Sequence, residues 1–205
     1  MNEEISNKIS QMIRVNHAGE LGAKVIYEGQ ILALKLKGDH QNLEVVTKMR
    51  DQELPHLKFF EQKIIEQKVR PTIMQPLWKI GGFALGFATA IIDIKSAMTC
   101  TTAVEEAIED HYQSQINELE KIGDQKSNVK NQDKKTETIE NQQKITDNIN
   151  LIDDLIKNIK QFRQDEIEHR DIGYEHNAVD FKLHKPLNNL IKFTTKFAIA
   201  ISKKI

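Results

Sequence analysis

The chain has 205 residues, with 29 Lys and Arg against 30 Asp and Glu, for a net charge of −1. That balance leaves no basic footprint for a nucleic-acid partner, and the single cysteine excludes a disulfide framework or a thiolate metal site. The length suits one domain with a sizeable core. Scarce Gly and Pro, with 3.6-residue periodicity throughout, predict an all-α protein.

Six helical segments are predicted, at 3–36, 41–69, 77–92, 96–121, 151–178 and 185–203. The opening MNEEISNKIS is acidic and polar, unlike a secretory leader. In the first segment Ile9, Ile13, Glu20, Ala23, Tyr27, Ile31 and Leu34 share a face. KGDH separates it from the second, where Leu43, Val46, Met49, Glu53, Leu57, Phe60 and Ile64 recur at helical spacing. Pro55 stands inside that segment, between Glu53 and His56. It lacks the N–H that a helix interior needs, so a bulge or break is expected between Asp51 and His56. Pro71 and Pro76 bound the next connection.

The third segment contains GGFALGFATAII (81–92), apolar for only twelve residues before Asp93 and Lys95 intervene, too short for a transmembrane span. In the fourth, Thr101, Glu105, Ile108, Tyr112, Gln115 and Leu119 share a stripe. Residues 121–150 are rich in Lys, Asn, Gln, Asp and Thr and read as a disordered or loosely helical insertion. The fifth stripe is Ile152, Leu155, Ile159, Phe162, Glu166, His169 and Gly173. The last segment (186–205) sets Leu187, Leu190, Ile191, Phe193, Phe197 and Ile201 beside Lys192, Lys196, Lys203 and Lys204, an amphipathic pattern suited to an anionic membrane surface.

Four helices thus place an ionisable group in the middle of an apolar stripe, which is costly unless the charge has a partner. Glu20 and Glu105 stand alone, whereas Glu53 and Glu166 belong to Glu-x-x-His, "ELPH" (53–56) and "EIEH" (166–169). Residues at i and i+3 reach one point beside a helix. One Glu from each of two helices and Glu-x-x-His from each of two others is the dinuclear carboxylate set of a four-helix bundle. Oxygen and imidazole donors without thiolate favour iron or manganese. Four carboxylates would neutralise two divalent ions. Glu20 to Glu53 is 33 residues and Glu105 to Glu166 is 61. The excess of 28 is close to the length of the polar insertion, so without it the chain reads as two matching helical hairpins. His17, His40, His176 and His184 read as surface or capping groups. His111 and Tyr112 are candidates for contact with the ligands.

At these residues the chain resembles the demethoxyubiquinone hydroxylase family, the di-iron monooxygenases of ubiquinone biosynthesis. The matching stretches are IRVNHAGELGAKVIYEGQ (13–30), DQELPHLKFFEQ (51–62), VRPTIMQPLWKIGGFALGFATA (69–90), TTAVEEAIEDHYQSQI (101–116) and KQFRQDEIEHRDIGYEHNA (160–178). They cover nearly everything outside 121–150, a block the family core lacks. Pro55 is also unusual for it. The resemblance implies a single ferritin-like di-iron domain over 1–205, a four-helix bundle with two additional apolar or amphipathic helices. It implies two Fe ions held by Glu20, Glu53, His56, Glu105, Glu166 and His169, with His111 and Tyr112 close by. The implied reaction hydroxylates the ring of a polyprenylated demethoxyubiquinol with O2, using electrons that come ultimately from NADH. The implied setting is peripheral attachment to the cytoplasmic face of a bacterial inner membrane, with a second copy or a ubiquinone-biosynthesis complex as partner. A ferritin-like iron-binding or oxidase protein of another kind is the alternative.

Overall fold

The computed structural model describes the backbone of residues 3–132 and 139–204, with the side chains of 125–145 outside the description. The described residues are helical: α1 (Glu3–Lys37), α2 (His40–Glu66), α3 (Gln75–Ile92), α4 (Ile94–Gln132), α5 (Ile139–Glu175) and α6 (His184–Ser202), with a 3₁₀ turn at Ala178–Asp180 before α6. The breaks follow local chemistry. Gly38 closes α1 at φ +69°, and the Asp39 side chain caps α2 by accepting from the Asn42 N–H at 3.2 Å. Pro76 sits in the first turn of α3, where its absent N–H has no helical acceptor to miss.

α1 packs on α2 and α3, while α4 packs on α5 and α6. The α1–α3 contact is close because Gly29 and Gly86 each lie against the backbone of the opposing helix. A Cβ on Gly29 would meet Phe83, and one on Gly86 would meet Ile26. One core cluster joins Ile9, Ile13, Phe60, Ile116, Leu119, Leu155 and Ile159, and a second joins Tyr27, Leu34, Met49 and Met98. Each sequence stripe is buried along its length, apart from half-buried Leu43 and Ile64 at the ends of the second.

One expectation is corrected here. α2 runs through Pro55 as uninterrupted α-helix. Both Pro55 and Asp51 are exposed, so the Asp51 carbonyl that loses its partner faces water and no bulge is required. The polar stretch 121–150, read as disordered or loosely helical, is helical over its described residues: α4 continues to Gln132 and α5 begins at Ile139. Helices already nucleated by a packed core propagate through Lys- and Gln-rich sequence without needing new apolar surface. Residues 133–138 lie outside the described residues.

Candidate metal centre

Glu20 on α1, Glu53 and His56 on α2, Glu105 on α4, and Glu166 and His169 on α5 are all at most 2% exposed. They form two overlapping groups, Glu20/Glu53/His56/Glu166 and Glu53/Glu105/Glu166/His169, in each of which one ligand atom per residue lies within 4.8 Å of the others. Glu53 and Glu166 belong to both. His56 Nδ1 stands 3.6 Å from Glu53 Oε2 and from Glu166 Oε1, while His169 Nδ1 stands 2.9 Å from Glu53 Oε1 and 3.7 Å from Glu166 Oε2. Each of these carboxylates therefore turns one oxygen to each group, the disposition of a bridging ligand.

The fit to metal is tested by the polar atoms left over. Glu20 Oε2, both oxygens of Glu53 and Glu166, Glu105 Oε2 and the Nδ1 atoms of His56 and His169 are buried without a hydrogen-bond partner. Buried polar atoms without partners are uncommon and costly. Eight of them converging from six residues, all oxygen or imidazole nitrogen, suit a pair of divalent iron or manganese ions.

The outward-facing atoms are held in a reciprocal pattern. The Tyr27 hydroxyl donates to Glu105 Oε1 at 2.7 Å, and the Tyr112 hydroxyl donates to Glu20 Oε1. Each tyrosine lies seven residues after one lone Glu and serves the other. His56 Nε2 meets Asp165 Oδ2 at 2.9 Å, and His169 Nε2 meets Gln52 Oε1 at 3.3 Å. Asp165 and Gln52 each immediately precede the Glu of one Glu-x-x-His and serve the His of the other. Such partners fix the imidazole and leave Nδ1 free for a metal.

The electrostatics of the bare cluster follow from burial. Burial, with the neighbouring carboxylates, lifts Glu20 and Glu105 well above the usual carboxylate range. Burial would lift Glu53 too, but His169 and His56 outweigh it and hold it at about 2. Burial would lower the imidazoles, yet Glu166 and Glu53 bring His169 up to about 9, and Glu166, Glu20 and Glu53 raise His56 further. Without cations the site keeps protons to balance its carboxylates. Cations would displace them.

The six expected ligands are thus brought together, and Tyr112 touches Glu20. His111 does not reach the ligands: one residue from Tyr112 on the helix, it turns aside, its Nε2 accepts from the Gln115 Nε2 amide at 2.8 Å, and it lines a cavity. His17, expected at the surface, is buried beside Gln75. Tyr27, Asp165 and Gln52 were missed as site residues, although their repeated offsets from the glutamates were legible. The cavity, of about 400 Å³, lies among α1, α3, α4 and α6. Its wall is mainly apolar, including Ile26, Leu85, Val104 and Ile108, and it reaches Glu20 and Tyr112. It touches only the half of the cluster that holds Glu20.

The profile of the family described as ubiquinone biosynthesis protein COQ7 matches residues 7–202. The chain belongs to the COQ7 family. Among curated COQ7 relatives, the NADPH-dependent 3-demethoxyubiquinone 3-hydroxylase of Dictyostelium discoideum is 39% identical over 199 residues, covering 96% of this chain and 77% of its own. The 3-demethoxyubiquinol 3-hydroxylase of Rhodospirillum rubrum is 36% identical, and the 5-demethoxyubiquinone hydroxylase of Saccharomyces cerevisiae 34%, each over 197 residues, with 96% of this chain and 78% of the relative covered. These COQ7 relatives carry the names of ubiquinone-pathway hydroxylases. Among the described residues no helix is long and apolar enough to cross a membrane.

Proposed function

We propose that the chain is a 3-demethoxyubiquinol hydroxylase, working as a single ferritin-like domain in which α1, α2, α4 and α5 form the four-helix bundle. In this reading Glu20, Glu53, His56, Glu105, Glu166 and His169 would hold two iron ions, Glu53 and Glu166 being the residues common to both groups. The observation that carries it is the convergence of eight buried ligand atoms without a hydrogen-bond partner beside a mainly apolar cavity that Glu20 lines. A site built for iron storage has no use for a mainly apolar cavity of about 400 Å³ beside it.

Bound iron would supply the reductive activation of O2 that ring hydroxylation needs. The chain's own residues do the rest. The apolar wall takes the ring and the start of the isoprenoid tail and excludes water. Tyr112 keeps Glu20 in place at the point where the cavity meets the cluster. A ring C–H becomes C–OH and the second oxygen leaves as water, at the expense of two electrons and two protons. A reduced nicotinamide nucleotide is the source we assign, NADH by the resemblance and NADPH in several relatives' names. Incubation of iron-loaded protein with a short-tailed demethoxyquinol and NADH or NADPH under ¹⁸O₂ tests the reading. One labelled oxygen in the ring product is expected, and unlabelled product or none would overturn it.

A polyprenyl substrate resides in the bilayer, so we propose peripheral attachment through the outer faces of α3 and α6. Leu77 and Ile80 on α3, and Leu190, Phe193 and Phe197 on α6, are all more than half exposed. Two of the lysines expected to meet headgroups are engaged within the protein, Lys192 with Glu106 and Lys196 with Asp110. The apolar side chains therefore carry more of the attachment than the amphipathic pattern suggests. Flotation with liposomes is expected for the wild type and lost in a Phe193→Asp, Phe197→Asp double variant. Equal flotation of the two would exclude this face.

A further inference from the structure

The helical glycines of α1, α3 and α5 divide into two groups, while Gly123 on α4 would bring a Cβ into ordinary contact with Ile152 at 3.9 Å. Gly29, Gly82, Gly86 and Gly173 are explained by neighbours: a Cβ on each would strike, respectively, the backbone of Phe83, the Val25 side chain, the backbone of Ile26 and the Thr102 side chain. Gly19, Gly22 and Gly81 have no such reason. A Cβ on any of them would meet nothing within 4 Å, and none has positive φ. Glycine in a helix interior is less stable than alanine, so the protein forgoes stability at three places where alanine would fit. All three line the cavity that reaches Glu20. The same cavity is lined by Glu20, 1% exposed, whose Oε2 has no hydrogen-bond partner. The space opposite these glycines holds no protein atom within 4 Å; Gly19 and Gly22 are half-buried, Gly81 is exposed, and all three line the cavity.

We infer that Gly19, Gly22 and Gly81 form the bare backbone surface on which the quinol ring and the first isoprene unit lie, and that they set the thickness of ligand the cavity admits. This rests on the quinol reading of the cavity. Gly19 and Gly22, three apart, share one face of α1 next to Glu20, and Gly81 faces the cavity from α3. A flat ring can contact helix backbone closely where no Cβ intervenes. A methyl group there would compete with it for the same volume. The wall's apolar character selects an uncharged ring with a hydrocarbon tail over an anionic ligand.

Trp78 is the only tryptophan of the chain and lines the cavity, so quenching of its fluorescence reads occupancy directly, without turnover. The probe is 2,3-dimethoxy-5-methyl-1,4-benzoquinone with a two-isoprene tail, titrated into wild type and into Gly19→Ala, Gly22→Ala and Gly81→Ala, each also melted thermally. Saturable quenching is expected in the wild type. The alanine variants are expected to bind about tenfold more weakly while melting at the same temperature or higher. Unchanged affinity in folded variants would overturn the inference and leave the quinol reading standing. Lower melting temperatures would also overturn it, by giving the glycines a packing role. Absence of saturable quenching in the wild type would instead remove the quinol reading of the cavity, and this inference with it.

Discussion

Tyr27 on α1 donates its hydroxyl to Oε1 of Glu105 on α4 at 2.7 Å, and Tyr112 on α4 returns the arrangement by donating to Glu20 on α1. Tyr27 is 1% exposed, and burial followed by Glu105 raises its pKa well above the ordinary value, so it remains a donor. Tyr27→Phe leaves a buried carboxylate oxygen without its donor, at a cost of about 1–3 kcal/mol. Iron affinity is expected to fall roughly tenfold or more, measured by competition with a chelator. Wild-type affinity in both Tyr27→Phe and Tyr112→Phe would show that these hydroxyls do not support the ligands.

The shared carboxylates predict unequal losses. Glu166 lies in both groups and Glu20 in one. Glu166→Ala is expected to lose both irons, whereas Glu20→Ala should retain the ion on the His169 side. Elemental analysis of purified protein decides this. Full iron content in Glu166→Ala would reject the ligand assignment.

The two imidazoles are supported by different chemistry. His56 has a carboxylate partner in Asp165 at 2.9 Å, His169 only an amide in Gln52 at 3.3 Å. An anionic partner makes the imidazole a stronger donor. Anaerobic titration with Fe(II) should therefore show two unequal affinities, and Asp165→Asn should weaken the tighter one by about 10- to 100-fold. A variant that binds like the wild type would leave Asp165 without this role.

Pro55 interrupts hydrogen bonding in a helix that is otherwise regular and on a face that is exposed. Pro55→Ala restores an N–H to the Asp51 carbonyl and should stabilise the protein by about 1–3 kcal/mol. Iron content is expected to be unchanged. Loss of iron would mean that the proline holds His56 in position.

His111 supplies a pH signature. Burial, then Lys203, lower its pKa from 6.5 to about 4. The unfolded chain therefore takes up a proton that the folded protein refuses, and stability falls as pH drops from about 6.5 towards 4. Above that window His111 contributes no pH dependence. His111→Gln should flatten the wild-type slope by close to one proton, read from chemical denaturation across pH. An unaltered slope would contradict the burial of the neutral ring.

The helices and the six converging residues were legible because both follow periodicity: a carboxylate in an apolar stripe is visible without coordinates. The behaviour of Pro55 was not, since the cost of a missing N–H depends on whether the freed carbonyl of Asp51 faces core or water. The reach of α4 and α5 into 121–150 was hidden because a polar composition argues against a core, while a helix extended from a packed segment needs none. His111 was placed with Tyr112 by adjacency, although neighbours on a helix point about 100° apart. The cavity draws its wall from four helices distant in sequence, so no local pattern announces it.

The crossed partnerships have a consequence for how the chain can be divided. Each helical hairpin carries half the ligands, yet the tyrosine and the Asp or Gln that steady those ligands sit on the other hairpin. Cut between α3 and α4, neither fragment would retain a prepared half-site, and each would present partnerless carboxylates to water. If the matching hairpins descend from one duplicated ancestor, that ancestor needed a second copy of itself to do what the halves now do for each other. Mixing the separately expressed halves would recover iron binding only as they associate, which turns metal content into a direct measure of how completely the two have rejoined.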